Sequence, residues 1–335
     1  MIRVALLSFW HVHAKDYFKQ AVEHPEIEIA GIWDEQPERG RLEAEERGIP
    51  FFENLQDVLS NKDIDAVIVT TPTSMHPAII TAAAKAGKHV FTEKVIALTN
   101  AECQEIIAGI DQANVVITVS LPRLNTPFTQ GALELIASGL LGELTLVRAR
   151  LSHSGALPTA DNPLGYLPAH FFELAECGGG ALIDLGCHPM YLTRLLLGMP
   201  SSVSASFGYI TGKEVEDNAV VTLRYDNGAL GIVEAGFVNS ASPFTLELHG
   251  TDGSAIYSAH DGKLIYRSLK LEGDGVKQWH VYDLPAALPS SFDQWVSHIR
   301  KGTKASDNIE LALDLTKLME ASNSSAQSGM MQEIS

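Results

Sequence analysis

Residues 64–94 read IDAVIVTTPTSMHPAIITAAAKAGKHVFTEK, and this stretch decides the fold. It begins with an apolar run rich in Val and Ile (64–71), which is followed by a segment that favours a helix, HPAIITAAAKAGK. A second short apolar run (89–93) comes next. A strand, a helix and a strand in this order predict two parallel strands joined by a right-handed crossover.

The same alternation of apolar runs and helical segments extends over residues 2–120. The other helix-favouring segments are QPERGRLEAEERG, NLQDVLSNK and TNAECQEIIAGIDQAN. Further strands are predicted at 2–7, 27–34, 50–53 and 115–120. We therefore predict an α/β chain whose first domain, residues 1–121, is a Rossmann-type, doubly wound parallel sheet.

After residue 121 the pattern changes. The polar, proline-containing stretch 152–168 is long for a plain connection, which suggests a loop that covers a substrate. The predicted strands of this part are 142–149, 203–210, 219–225, 229–237, 244–249, 254–257 and 263–268, and its predicted helices are 125–137, 188–197, 290–301 and 308–326. Strands this dense predict a C-terminal α+β domain, residues 122–335, with a largely antiparallel open sheet. We expect that sheet to form the interface of a homodimer or homotetramer.

The composition of the 335 residues excludes several classes of protein. Acidic residues outnumber Lys and Arg by 41 to 24, so neither nucleic acid nor an anionic membrane is an expected partner. No apolar run approaches the roughly 18 residues that span a bilayer, and the first residues are unlike a signal peptide. Cys103, Cys177 and Cys187 have no CxxC spacing, which argues against a disulfide framework. We expect a soluble, cytoplasmic protein.

The segment after the first predicted strand, Ser8-Phe9-Trp10-His11-Val12-His13, lies where a dinucleotide fold binds pyrophosphate. It contains none of the three glycines of the usual GxGxxG motif. Trp10 is bulky where the backbone should approach phosphate, and His13 is bulky where helix and strand should pack closely. Amide groups at the helix N-terminus are available whatever the side chains are, so the segment weakens the prediction of phosphate binding without excluding it.

Asp34 ends the second predicted strand, where a carboxylate can accept both hydroxyls of the adenosine ribose. It would repel a 2′-phosphate, which favours NAD over NADP, although Arg39 is close enough in sequence to complicate that choice. The alternative is that Asp34 only caps the helix that begins near Pro37.

Residues 178–188 read GGGALIDLGCH, with Asp184 and His188 four residues apart behind a glycine run. Together with Lys94 they supply a carboxylate, an imidazole and an ammonium group. These three groups can form a proton relay, which alcohol oxidation requires because the hydroxyl proton must leave as the carbon gives up hydride. The glycines either let the backbone pass close to a substrate or provide a flexible connection.

Over nearly its full length the chain resembles the Gfo/Idh/MocA family of NAD(P)-dependent sugar and cyclitol oxidoreductases. The matching pieces are TPTSMH (71–76), AGKHVFTEK (86–94), GGGALIDLGCH (178–188) and a last helix that ends near SAQSG (325–329). The resemblance implies that Lys94, Asp184 and His188 are catalytic. It also implies hydride transfer between NAD(P) and a hydroxyl or carbonyl carbon of a sugar, sugar derivative or cyclitol.

Two sets of binding residues follow from the motifs and the resemblance together. The predicted cofactor-binding residues are Ser8, Phe9, Trp10, His11, Asp34, Thr71, Pro72, His76, Glu93 and Lys94. The predicted substrate-binding residues are Lys94, Arg123, Tyr166, His170, Asp184 and His188, with His11, His76 and His153 as further candidates.

The chain departs from the family pattern after Lys94, where Val95 stands in place of the usual proline. Because a cis bond before valine costs about 3 kcal/mol, we expect a trans bond here and some displacement of Lys94. His11, His13 and His76 follow or adjoin strand ends and could meet His188, but we predict no metal because the family chemistry needs none.

Two other functions remain as alternatives to the dehydrogenase. The altered turn and Val95 would suit a non-catalytic regulator that binds a dinucleotide or sugar. A lyase, epimerase or glycosidase that uses transient oxidation on retained NAD is the other.

Overall fold

The computed structural model describes residues 1–160 and 162–334. Asp161, inside the predicted loop 152–168, and Ser335, the end of the predicted second domain, lie outside the described residues. Contacts divide the chain into two compact units, one formed by residues 1–120 and 289–313 and the other by residues 121–288 and those from 314 onward. No helix in the described ranges combines the length and apolar character needed to cross a membrane.

The described strands and helices alternate along the first part of the chain and then give way to a run of strands. The strands are β1 (Ile2–Leu7), β2 (Ile27–Trp33), β3 (Ala66–Val69), β4 (His89–Thr92), β5 (Ile117–Val119), β6 (Leu144–Ser152), β7 (Ser202–Gly208), β8 (Asn218–Arg224), β9 (Leu230–Gly236), β10 (Thr245–Gly250), β11 (Gly253–Ser258), β12 (Lys263–Ser268), β13 (His280–Tyr282) and β14 (Gln332–Glu333). The helices are α1 (Ala14–Glu23), α2 (Pro37–Arg47), α3 (Leu55–Ser60), α4 (His76–Lys85), α5 (Asn100–Ala113), α6 (Pro127–Ala137), α7 (Leu174–Cys177), α8 (Cys187–Leu197), α9 (Ser291–Lys301) and α10 (Ser306–Ser328).

The first unit contains a five-stranded parallel sheet with the order β2-β1-β3-β4-β5. Its strands are apolar because both faces are covered, and all four residues of β3 are buried. Local signals fix the helix ends: Thr99 and Glu102 form a capping box at the start of α5, and Gly48 adopts a left-handed conformation after α2. Trp295 of α9 is fully buried in this unit.

The second unit contains a nine-stranded sheet with the order β13-β12-β11-β10-β6-β9-β8-β7-β14. Neighbouring strands run antiparallel except β6 and β9, which are parallel. Helix α8 packs against β6 and β9, and Val147 and Val233 of those strands are fully buried. The predicted fold class, a Rossmann-type parallel sheet followed by an α+β domain with a largely antiparallel sheet, is confirmed.

One predicted strand is absent from the structure, and two short strands were not predicted. The predicted strand at 50–53 is only a bridge between Phe51 and Ile32, since the chain meets the edge of β2 for a few residues and leaves it. The short strands β13 and β14 were not predicted. Their two or three residues carry too little period-two patterning to signal a strand, and each forms only by pairing with an existing sheet edge.

Candidate active site

The turn between β1 and α1 contains no glycine, but one of its residues adopts a conformation typical of glycine. Ser8 has a φ angle of 83°, the left-handed conformation that glycine adopts most easily. Its hydroxyl accepts the Trp10 N–H at 2.9 Å, which supports that conformation locally. The neighbouring amides are also bonded within the fold, because the Phe9 N–H donates to Asp34 Oδ2 at 2.8 Å and the His11 N–H donates to the Thr70 carbonyl at 3.1 Å.

Asp34 is buried and forms several hydrogen bonds. Its two oxygens accept the Nε and Nη2 groups of Arg39 at 2.9 and 2.7 Å. Oδ1 also accepts the Gln36 N–H at 2.8 Å, but Gln36 is the N-cap residue of α2 and no side chain caps this helix, so the capping interpretation of Asp34 does not hold. Arg39 additionally contacts Glu35, which leaves one excess negative charge among these three side chains.

Glu93, directly after β4, is the buried centre of a polar cluster that contains the buried His11 and Tyr17 and the half-buried His13. His13 Nδ1 lies 2.8 Å and His11 Nδ1 lies 3.6 Å from Glu93 Oε1, and the Tyr17 hydroxyl donates to the same oxygen. Burial alone would raise the pKa of Glu93, but the neighbouring His11, His13 and Lys94 side chains hold that pKa well below its ordinary value. Glu93 is therefore a buried carboxylate.

Lys94 follows Glu93 and is 5% exposed. Its N–H donates to Glu93 Oε2 at 3.0 Å. The peptide bond from Lys94 to Val95 is cis, so our expectation of a trans bond was wrong. The preference of a non-proline peptide bond for the trans form is outweighed here by tertiary packing. Val95 is fully buried, and its carbonyl lies 3.0 Å from His76 Nδ1.

His76 connects two strand ends within the first unit. Its Nε2 lies 3.2 Å from the carbonyl of Thr71, and its Nδ1 contacts the carbonyl of Val95. Burial lowers the pKa of this imidazole, while the carbonyl acceptors oppose the shift. Thr71 Oγ1 is buried with no hydrogen-bond partner among the described residues, and Pro72 beside it is also buried. His76 therefore connects the backbone after β3 with the backbone after β4. It is not part of the group formed by His11, His13 and Glu93.

In the second unit, the glycine run packs against Glu216. Gly180 and Leu182 each donate a backbone N–H to the Glu216 carboxylate at 2.8 Å, and the Ala181 N–H donates to its carbonyl at 2.9 Å. A Cβ atom on Gly180 would lie 1.9 Å from that carbonyl oxygen. Gly180 is thus required for a close approach to Glu216, and neither of our two interpretations of the glycine run identified this contact.

Asp184 and His188 lie on one continuous helical segment. A π-helical turn at Leu182–Gly186 contains Asp184, and α8 follows it directly. His188 is 6% exposed, and its Nδ1 lies 3.0 Å from the Tyr191 hydroxyl. The same hydroxyl accepts the Arg123 N–H at 3.0 Å. Tyr191 therefore fixes one ring nitrogen of His188, Nδ1.

The other predicted substrate residues also lie in the second unit. The Arg123 guanidinium lies 4.4 Å above the Phe244 ring, and burial lowers the pKa of Arg123. Tyr166 is 56% exposed, and its ring centroid lies 5.3 Å from that of His153.

Asp184 acts electrostatically on this pair. Burial lowers the pKa of His153 and Asp184 opposes the shift, while burial and then Asp184 raise the pKa of Tyr166. His170 packs against Phe171 with ring centroids 5.3 Å apart.

Three residues of these networks were not predicted from the sequence. Tyr17 and Tyr191 could have been found, because they lie four and three residues after His13 and His188 and so share a helix face with them. Glu216 gave no signal, since it contacts Gly180 from 36 residues further along the chain.

Comparisons with known proteins identify the family of the chain. Residues 9–121 match the model "Oxidoreductase family, NAD-binding Rossmann fold", and residues 129–256 match "GFO/IDH/MocA C-terminal domain". The scyllo-inositol 2-dehydrogenase (NAD(+)) of Bacillus subtilis is 31% identical over 269 residues, covering 76% of this chain and 72% of that protein. The 1,5-anhydro-D-fructose reductase of Ensifer adhaerens is 28% identical over 247 residues, which is 72% of each chain.

Among solved structures, levoglucosan dehydrogenase in complex with NADH and levoglucosan has a TM-score of 0.82 and 22% identity, and the match covers 99% of both chains. At this identity the likeness concerns the fold alone. The two family models and the 31% identity to the inositol dehydrogenase show the family, and they confirm the predicted resemblance. The chain belongs to the Gfo/Idh/MocA family of oxidoreductases.

Proposed function

We propose that the chain is an NAD-dependent oxidoreductase that transfers hydride between the nicotinamide and a hydroxyl- or carbonyl-bearing carbon of a sugar, sugar derivative or cyclitol. The observation that carries the proposal is the buried ammonium of Lys94 directly after β4. Ligands of open α/β sheets bind outside the carboxyl ends of the strands, which is where Lys94 follows β4. The related dehydrogenases and reductases support the reaction class.

Each catalytic residue has a separate role in this proposal. During oxidation, Nε2 of neutral His188 accepts the substrate hydroxyl proton, while the Tyr191 hydroxyl holds Nδ1. Lys94 donates a hydrogen bond to the same oxygen and stabilises its developing negative charge. Asp184 orients the imidazole or binds a second hydroxyl. In reduction, His188 returns the proton to the carbonyl oxygen.

The nicotinamide cofactor, when bound, supplies the acceptor for the hydride. The first unit fits a dinucleotide in two respects: Ser8 adopts the left-handed turn conformation, and the buried Thr71 hydroxyl has no partner among the described residues. We propose as its binding residues Ser8, Phe9, Trp10, His11, Asp34, Thr71, Pro72, His76, Glu93 and Lys94. Because the Phe9, Trp10 and His11 amides are bonded internally, side chains hold more of the pyrophosphate than in a glycine-rich turn.

We propose NAD over NADP on electrostatic grounds. Asp34 and Glu35 outnumber Arg39, so the local charge repels a 2′-phosphate. The substitution Asp34→Ser removes one carboxylate and frees Arg39 from its bidentate partner. The wild type should have a higher kcat/KM with NAD than with NADP, and Asp34→Ser should narrow that preference by about tenfold or more, corresponding to roughly 1.4 kcal/mol. A wild type that prefers NADP would contradict the proposal.

For the substrate we propose contacts with Lys94, Arg123, Tyr166, His170, Asp184 and His188. The function is tested by measuring NADH formation with a panel of sugars and cyclitols. Lys94→Ala and His188→Ala should each lower kcat by about 10²- to 10⁴-fold, while Lys85→Ala, at an exposed lysine, and His298→Ala serve as matched controls. Unchanged turnover in both catalytic variants would overturn the assignment.

We also propose a homodimer or homotetramer in a reducing, cytoplasmic compartment, with residues 1–121 as the cofactor domain and 122–335 as the substrate domain. Exposed apolar side chains on the large sheet, Val220 and Leu230, support association, and the three buried cysteines, which form no disulfide, suit a reducing compartment. Light scattering coupled to size-exclusion chromatography tests the assembly, and a monomer at micromolar concentration would contradict it.

A further inference from the structure

The polar cluster around Glu93 collects more electron-rich atoms than a buried ion pair requires. His11, His13 and Glu93 each offer one ligand atom, and these atoms all lie within 4.8 Å of one another. The two imidazole rings are also adjacent and tilted, with ring centroids 4.7 Å apart. Glu93 Oε1 is thus approached by both imidazoles as well as by the Tyr17 hydroxyl.

The hydrogen bonding of His11 indicates a cation. Its Nδ1 accepts the His13 N–H at 3.2 Å and so carries a lone pair instead of a proton. That nitrogen lies only 3.6 Å from Glu93 Oε1, an oxygen that carries lone pairs of its own. Two lone pairs at this distance repel each other, and a cation that binds both atoms replaces that repulsion by attraction. A metal ion is such a cation.

The surroundings resemble the supporting shell of a metal site. The Lys94 N–H donates to Glu93 Oε2 at 3.0 Å, and Tyr17, held by a 2.8 Å hydrogen bond to Ser120 Oγ, donates to Oε1. Hydrogen bonds of this kind orient a ligating carboxylate. The side chain of His13 is 39% exposed, which gives an ion a path to the otherwise buried group.

We propose that His11, His13 and Glu93 bind a divalent first-row transition-metal ion, with Zn²⁺ as the best match to two imidazoles and one carboxylate. Imidazole and carboxylate together suit Zn²⁺, Co²⁺ or Fe²⁺ better than the hard cations Mg²⁺ and Ca²⁺, which prefer oxygen ligands. Three protein ligands leave at least one coordination position for water or for an oxygen of a bound molecule. The site is additional to the proposed proton transfer, which requires no metal.

The proposal is tested on the full chain, without a polyhistidine tag, nicotinamide or substrate. After chelation and dialysis, Co²⁺ is titrated while visible d–d absorption is recorded, and elemental analysis after Zn²⁺ loading gives the stoichiometry. We expect saturation at a single equivalent. His13→Ala and Glu93→Gln should abolish the absorption, and Tyr17→Phe should weaken Co²⁺ affinity by about 10- to 100-fold. His298→Ala, the same change at a histidine outside the cluster, should bind like the wild type.

Circular dichroism of each variant separates loss of the ligand from loss of the fold. Should His13→Ala unfold, His13→Asn, which keeps a polar side chain of similar reach, replaces it. Absence of Co²⁺ binding by the wild type, or equal binding by all variants, would overturn the proposal and leave His13 as the ion-pair partner of Glu93. Neither result bears on NAD reduction, so failure here is distinct from failure of the proposed function.

Discussion

The substitution Glu216→Gln tests whether a buried carboxylate positions the Asp184–His188 helix. Glu216 accepts the N–H groups of Gly180 and Leu182, both at 2.8 Å, and is 3% exposed. Glutamine has a single carbonyl oxygen and can satisfy only one of them. The other buried N–H then faces an amide NH₂ group, which costs about 1–3 kcal/mol. We expect the free energy of unfolding, measured with urea, to fall by that amount.

The kcat of Glu216→Gln should fall by more than the loss of stability alone predicts. The bonded amides lie four and two residues before Asp184, so their loss shifts the segment that carries the proposed proton acceptor. A displacement of about 1 Å near reacting groups can cost about 100-fold in rate. We expect kcat to fall by about 10- to 100-fold, with a smaller change in KM.

Asp217→Asn is the matched control. Its carboxylate accepts the N–H groups of Ile210 and Thr211, at 3.0 and 2.6 Å, and the Thr211 hydroxyl, but none from the glycine run. It should lose comparable stability and keep most of its kcat. Equal loss of kcat in both variants, or unchanged kcat in Glu216→Gln, would refute the positioning role.

The pH dependence of stability gives a second readout of Glu216. Burial raises its pKa above the ordinary value of 4.5, against the opposing effect of the backbone hydrogen bonds. A raised folded-state pKa stabilises the fold below the ordinary value, and that contribution is lost as pH rises through the folded-state pKa. Within this window the free energy of unfolding of the wild type should fall with rising pH by at most about 1.4 kcal/mol per pH unit. Glu216→Gln should lack this slope. Identical slopes would contradict this assignment.

Three further predictions concern the rest of the fold. Burial raises the pKa of Cys177 to about 11, and its thiol donates to the Glu173 carbonyl, so it should resist Ellman's reagent at neutral pH until the chain unfolds; rapid labelling of the native protein would contradict this. Trp295→Ala should lower the urea-unfolding free energy of the first unit by about 3–5 kcal/mol because the indole is fully buried, and a loss below about 1 kcal/mol, which is the size of a surface change, would not fit. Asn308→Ala should cost about 1–3 kcal/mol and speed hydrogen exchange in β5, because its amide bonds both the N–H and the carbonyl of Val119; unchanged exchange would argue against it.

Local sequence patterns were sufficient for the fold because the elements of the parallel sheet are strongly apolar and evenly spaced. Residues 64–94 predicted β3, α4 and β4, and the structure has all three. The helical spacing of Asp184 and His188 was also predicted, although the π-helical turn within it was not. These features depend on side chains that are neighbours in sequence.

The details of the candidate site depend on contacts between distant residues. The cis bond after Lys94 is accompanied by burial of Val95 and by a contact from His76, neither of which the dipeptide itself signals. The glycine run is explained by Glu216, and the HxH pair after β1 is explained by Glu93, 80 residues away from His13. Such contacts are fixed by topology, so the sequence alone indicated which residue types mattered but not their partners.

Direct hydride transfer is the central claim, and an isotope experiment tests it most directly. A sugar or cyclitol that supports NADH formation is deuterated at the reacting carbinol carbon and incubated with NAD and the wild type, Lys94→Ala or His188→Ala. We predict that mass spectrometry finds the deuterium in the reduced nicotinamide with the wild type, and that both variants form this product at least about 100-fold more slowly. Tight NAD binding without deuterium transfer from any substrate would contradict the account and favour a regulator that binds the dinucleotide without turnover.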